Sequence, residues 1–463
     1  MCRHDDPCWH LASQDTALRM KLPMRRPSGR RGLTSRRTVY AVLAILLVVG
    51  LLSDLPGRAC RGRAASALSH NRPHVALAWV ARSRSLSAWK PWADQEADAA
   101  TEALAWLRLN AASRATKALG GIATPSTPFA RRRAALETLA DCQRGDLSLV
   151  PRLTADFVDQ LPPQAIFEGI VRCAQFNGRF EMARSVVDDW QRQFSGDAAA
   201  AYQRGRNAEL TERFDESITA YREALRLQSD LCQAAFREGV VLAARRDFEG
   251  SVDALRRCDD TPCAAIAAIE RANSLWELQR IDEAWQTLAP LIDLSPASLV
   301  DPYLQADHYV EEDRSAVVGS RIAESRGDDP QAVRLLQRAL QYNPRNFEAV
   351  GRLAAILRRS GQVEDADAKS NDHQRMLGQR ERAVELRGRL VDHPEDVGAR
   401  FELAKIYFEV ESLADTQLEI DAILRDQPEH EAAKGLLREV ARQWSRMRGE
   451  GLPGTADEVV TAP

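Results

Sequence analysis

The chain has 463 residues, 44% hydrophobic and 28% charged, which is apolar enough to build cores and too apolar to be wholly disordered. Lys and Arg total 63 against 66 Asp and Glu, a net charge of -3, so the global basic excess of a nucleic-acid coat is absent and no nucleic-acid partner is expected. The 21 Pro and 25 Gly are too few for a fibrous or low-complexity protein, and eight Cys are too sparse for a small disulfide scaffold.

In chain order, the first feature is a basic amino end, residues 1–37, which carries Lys21 and six arginines between positions 25 and 37. Residues 38–53, TVYAVLAILLVVGLLS, follow as an uncharged run apolar on every face, about 24 Å long as a helix. This pattern predicts a transmembrane helix or signal anchor, with the cations holding the amino end in the cytoplasm and the rest of the chain exported to the periplasm or exterior. An uncleaved anchor is the preferred reading. Cleavage near Ala59 or Ala67 would instead release a secreted carrier. From 54 to 163 come a linker and a divergent helical region, degenerate repeats or a cap, in which VALAWVARSRSL and ATEALAWLRLNAA read as amphipathic helices and GGIATPSTP as a break.

Past residue 163 the sequence repeats. Ala183, Ser217, Ser251, Ala284, Ala332, Ala366 and Thr416 follow one another at steps of 34, 34, 33, 48, 34 and 50 residues. Twelve residues before each stands another compact residue, among them Gly205, Gly239 and Ala272. Three before stand Phe180, Phe214, Phe248, Ile281, Val363 and Leu413, and Pro296, Pro344 and Pro428 follow three of the units. Small residues let two helices of a hairpin approach, the large one starts the second helix, and proline stops it. One such hairpin cannot bury both faces, so neighbours must stack.

These segments, SITAYREALRL above all, resemble the tetratricopeptide repeat family in period and in small, aromatic and proline positions. The resemblance covers roughly residues 164–442. It implies an all-α fold, a right-handed α-solenoid of helix-turn-helix repeats over 164–445, behind the single amino-terminal membrane helix. The tail, 446–463, has turn formers and no helical stripe, and is expected to be disordered. Two steps exceed the period. The first excess, SLVDPYLQADHYVEEDR, suggests a loop or short helix on the solenoid edge, and the second a long protruding helix from about 363 to 391.

No phosphate loop, nucleophile elbow or HExxH helix occurs, so catalysis, cofactor and metal are not expected. The other reading is a repeat module serving an enzyme, either by recruiting a transferase or with activity concealed in 64–163. His308, among acids, reads as part of a solvated loop. In an exported domain Cys258 and Cys263 would pair across Pro262, unless Cys258 fills the small core position of its repeat; Cys173 and Cys232 read as buried thiols.

In the resembled family the first helix of each hairpin forms a concave groove. Carried onto this chain, that implies a protein-binding surface of Arg172, Phe176, Tyr202, Arg206, Phe236, Asn273, Trp276, Arg321, Arg358, Lys405 and Phe408. Such a mixture of aromatics and cations would hold an extended protein or peptide partner, rings anchoring and arginines pairing with carboxylates.

Overall fold

The structure is a computed structural model that describes residues 40–41, 54–87, 94–410 and 412–447. The basic segment 1–37, nearly all of the expected membrane helix and all but two residues of the expected tail therefore lie outside the described residues. Among those described, no helix is long and apolar enough to cross a membrane. The described residues from 56 onward form one compact unit.

The described residues form helices and no strand. First come α1 (Leu55–Ser69), α2 (Pro73–Ser87), α3 (Gln95–Arg108), α4 (Ala112–Gly120), α5 (Thr127–Gln143) and α6 (Val150–Asp156). Hairpins follow: α7 (Pro163–Phe176) with α8 (Phe180–Gln193), α9 (Ala198–Leu210) with α10 (Phe214–Leu227), α11 (Cys232–Ala244) with α12 (Phe248–Arg256), and α13 (Ala264–Glu277) with α14 (Ile281–Leu288). Then α15 (Pro296–Gln305) interrupts the alternation. It resumes as α16 (Arg314–Ser325) with α17 (Asp329–Tyr342), α18 (Phe347–Arg359) with α19 (Val363–Asp392), and α20 (Val397–Glu409) with α21 (Leu413–Asp426), before α22 (Glu431–Met447).

The repeat arithmetic and the helices coincide. Second helices begin on Phe180, Phe214, Phe248, Ile281, Val363 and Leu413, and all seven small residues from Ala183 to Thr416 are sealed from solvent. At Gly205 an added Cβ would stand 2.6 Å from the Tyr221 ring, and at Gly239 2.5 Å from Leu255 Cγ. Glycine is thus required by helix contact, since both sit on ordinary helical backbone. One proline assignment is corrected. Pro290 ends α14 by forcing a 3-10 turn at Ala289–Leu291, whereas Pro296 opens α15, where a missing N–H costs nothing.

The amino-terminal helices pack on the first hairpin. Leu104, Leu136 and Leu139 form one core with Ile166 and Ile170 of α7. The long helix also has a packing role: α19 runs 30 residues, and its second half places Ala383 and Leu386 in a cluster with Ala399, Leu403 and Ile406. Its middle packs too, with His373 stacked on Phe347 of α18 at 4.0 Å between ring centres, so the expected protrusion is corrected.

Of the two readings for Cys258 the bridge to Cys263 is not formed; Cys263 pairs instead with Cys232, which is therefore no free thiol, the Cα atoms 6.2 Å apart and the positions 31 apart in sequence. Cys232 opens α11 and Cys263 caps α13. These are the first helices of neighbouring hairpins, so their starts lie side by side. Cys258 takes the core position instead, fully buried, its thiol 3.8 Å from the Cys232 carbonyl oxygen. Cys173 is a buried thiol.

Candidate functional site: a strap across the first helices

The 48-residue step creates the main departure from a plain array. After α15, Asp307 adopts left-handed backbone (φ 52°), the conformation that terminates a helix and turns the chain away from its axis. Residues 306–313 then cross the inner sides of α7, α9 and α11 as a non-helical strap. Of the two readings of this excess, the extra short helix is present as α15, while the solvated loop around His308 is corrected.

Asp307 is the hub. Its Oδ1 accepts from Arg172 Nη1 at 2.8 Å and its Oδ2 from the Tyr202 hydroxyl at 2.8 Å. Arg172 also donates to Glu168 one turn back, at 3.1 Å, and Arg108 of α3 lies 3.5 Å from the same carboxylate. Burial works to raise the Asp307 carboxyl. Arg172 and Arg206, with the bonds from Arg172 and Tyr202, outweigh it and hold the group well below the usual carboxylate range.

His308 is likewise enclosed. Its ring lies 5.4 Å from Phe236 and 5.9 Å from Tyr303. Arg237 Nη1 stands 2.9 Å from Nδ1, and a guanidinium can only donate, so Nδ1 accepts and Nε2–H points to Glu311 at 3.2 Å. Glu311 opposes Arg314, which forms a paired contact with Glu270 of α13. Behind the strap Glu209 receives Arg206, Arg237 and Tyr221. Burial opposes ionisation of Glu209 and Glu311, yet their cationic and hydrogen-bonding neighbours bring each down to about 2.

The last helix closes over the strap. The backbone N–H of Val310 donates to the Met447 carbonyl at 2.6 Å, and Arg446 forms a forked pair with Glu312 at 2.6 and 3.0 Å. Trp444 lies 5.1 Å from the Tyr309 ring and 5.9 Å from Phe176 on α7. Contact between the first and last parts of the array means that it bends back on itself, with the first helices inside. A cavity of about 400 Å³ remains between Phe176, Tyr309, Trp444, Gln175 and Asp421.

The residues expected to line the groove separate accordingly. Arg172, Tyr202 and Arg206 hold the strap or its supporting acid, Phe236 is fully buried beneath His308, and Phe176 is covered by Trp444. Asn273, Trp276 and Arg321 form a second group beyond the strap. There Arg321 donates to Asn273 at 2.7 Å and pairs with Glu348, while Trp276 Nε1 donates to Ser325 at 2.8 Å. The guanidinium carbons of Arg321 and Arg352 lie 5.4 and 5.7 Å from the half-buried Trp276 ring. Arg358 pairs with Asp367 on α19, Lys405 lies over Phe401, and Phe408 faces Arg345; these three share no contact with the Trp276 group.

Sequence reasoning missed Asp307, Glu209, Glu311 and Trp444. A partial signal existed: Arg172 and Arg206 stand one period apart, and the insertion ADHYVEED is acidic. Among the described residues no cluster of His, Cys, Asp and Glu could hold a metal ion.

Residues 325–368, from the end of α16 to the start of α19, match the tetratricopeptide repeat family. No curated protein matches the chain. Similar solved structures include the Cut9–Hcn1 hetero-tetramer of APC/C, at 12% identity over 87% of this chain and 82% of that one, with a TM-score of 0.40. Others are a tetratricopeptide repeat protein from Parabacteroides merdae (13%, 64% and 98%, 0.35) and YrrB, described as a repeat protein with an unusual peptide-binding site (13%, 54% and 97%, 0.21). Likeness this distant transfers no residue role.

Proposed function

We propose that the chain is a tetratricopeptide-type scaffold that binds an extended segment of a partner protein on its first-helix face and does no chemistry of its own. The observation that carries this reading is Trp276 between Arg321 and Arg352, next to Asn273 and beyond the reach of the strap. An amphipathic ring flanked by guanidinium groups suits a peptide offering an apolar side chain beside a carboxylate. The scaffold would be tethered by residues 38–53, with residues 1–37 in the cytoplasm and the array exported. The Cys232–Cys263 bridge supports an oxidising compartment.

The test is crosslinking in native membranes with identification of captured proteins, comparing wild type with Trp276→Ala/Arg321→Ala. Loss of one specific partner at unchanged helical content is expected. Equal capture by both would reject this surface. Alkaline extraction with and without residues 38–53 tests the tether, which requires the full chain to stay with the membrane and the shortened one to be released.

A further inference from the structure

Resting on that reading of the first-helix face, we propose that its amino-terminal half is a second binding site, for an acidic extended segment of a partner protein, and that strap residues 306–313 occupy it as a built-in competitor.

The charge balance indicates the ligand chemistry. The walls around the strap carry Arg108, Arg172, Arg206, Arg237 and Arg314. Their own carboxylates are Glu168, Glu209 and Glu270. Five guanidinium groups against three acids leave an excess of two, which the strap meets with the buried Asp307 and the part-exposed Glu311; its other two acids turn elsewhere, Glu312 to Arg446 and Asp313 to Asn346. Without the strap, Arg172, Tyr202 and Arg314 would lose the acids they meet there, leaving a basic surface that favours another carboxylate. A replacement therefore needs an acid for Arg172 and Tyr202, and a second one, four residues on in the strap itself, for the Arg314 side.

The mode of holding is that of a ligand. Successive first helices contribute Arg172, Tyr202 and Arg237, each reaching a different strap residue or atom. That is how a repeat array grips an extended chain, one hairpin per contact. Ala306 and Val310 of the strap lie in the main core, and its outer polar fastenings are weaker. The Arg446–Glu312 pair is solvent-exposed on the arginine side and worth up to about 1 kcal/mol. Next to the Asp307 slot, the cavity under Trp444 gives an incoming segment room to engage before the strap leaves. Exchange can thus proceed stepwise, with no arginine stranded.

The experiment uses the full chain and a labelled synthetic peptide of the strap, LQADHYVEED, read by fluorescence anisotropy. Asp307→Asn/Glu312→Gln should bind this peptide at least about tenfold more tightly than wild type. The gain should vanish when the peptide carries Asn in place of its first Asp, and when Arg172→Gln is added to the protein. Equal binding by wild type and variant, or by the Asp and Asn peptides, overturns the proposal. If the double variant loses helical content, Glu312→Gln/Arg446→Gln takes its place, with amide exchange over residues 306–313 as a second readout. Faster exchange together with tighter peptide binding is then required, and unchanged values sink the idea. Trp276→Ala should leave peptide binding intact while abolishing partner capture, so the two surfaces fail independently.

Discussion

Arg172 and Asp307 are 135 residues apart in sequence and 2.8 Å apart in the fold, each with under a tenth of its side chain exposed. A buried pair gives little net stability over a well-packed apolar alternative, but removing one member strands the other. Asp307→Ala should therefore destabilise the protein by about 3–5 kcal/mol. Arg446→Ala, which breaks a contact partly open to solvent, should cost no more than about 1 kcal/mol. Urea unfolding followed by circular dichroism separates the two. Similar losses would mean that Asp307 is not the strap's anchor.

Acid should undo the strap from one side only. Glu209 titrates near 2 in the fold and Asp307 is held well below the usual carboxylate range, whereas unfolded carboxylates titrate near 4; Glu311 is lowered too, but solvent screens its part-exposed side chain and it adds little. In that window the unfolded chain binds more protons. The stabilisation is thus complete above about pH 5 and is lost as pH falls through the folded values toward 2. Wild type should lose a few kcal/mol between about pH 5 and pH 2. Glu209→Gln, less stable at neutral pH, should show a shallower decline. A stability profile with the same slope in both proteins would contradict the assignment.

The hairpins were legible because one periodic constraint acts at every unit. A residue at helix contact must be small, a residue at the second helix start must be large and apolar, and both survive divergence of the rest. Phe180, Phe214 and Phe248 mark helix starts without any long-range information. The strap was not legible in the same way, because Asp307 meets Arg172 only after the array has bent, and bending depends on many small helix offsets. For Cys232 and Cys263 the deciding fact was phase within the repeat: both open first helices, while Cys258 lies within the core seam. Proximity in sequence pointed to the wrong pair.

That cysteine arrangement makes a direct prediction. Peptide mapping without reduction should yield Cys232 linked to Cys263, with Cys258 recovered as a free thiol. Burial, with Asp259 beside it, pushes the Cys258 thiol up to about 12, so it carries almost no thiolate with which to attack the neighbouring bridge. Iodoacetamide should leave Cys258 unmodified in the folded protein and modify it in denaturant. A Cys258–Cys263 linkage at neutral pH, with the fold intact, would reverse the assignment.

Two kinds of helical glycine allow the packing argument to be checked. Gly378 and Gly388 lie in α19 with nothing within 4 Å of an added Cβ, so alanine there only removes backbone freedom from the unfolded chain. Each such change should stabilise by about 0.5–1 kcal/mol. Gly205→Ala meets the Tyr221 ring at 2.6 Å, and that ring is fully buried with its hydroxyl on Glu209, so it cannot simply swing away. Overpacking of this kind should cost about 1–3 kcal/mol. Because Tyr221 also packs on Tyr202, 5.7 Å between ring centres, the change should loosen the strap as well. Thermal melts of the three single variants, with amide exchange over residues 306–313, test both points. A neutral Gly205→Ala would mean that the hairpin contact is looser than the repeat period demands.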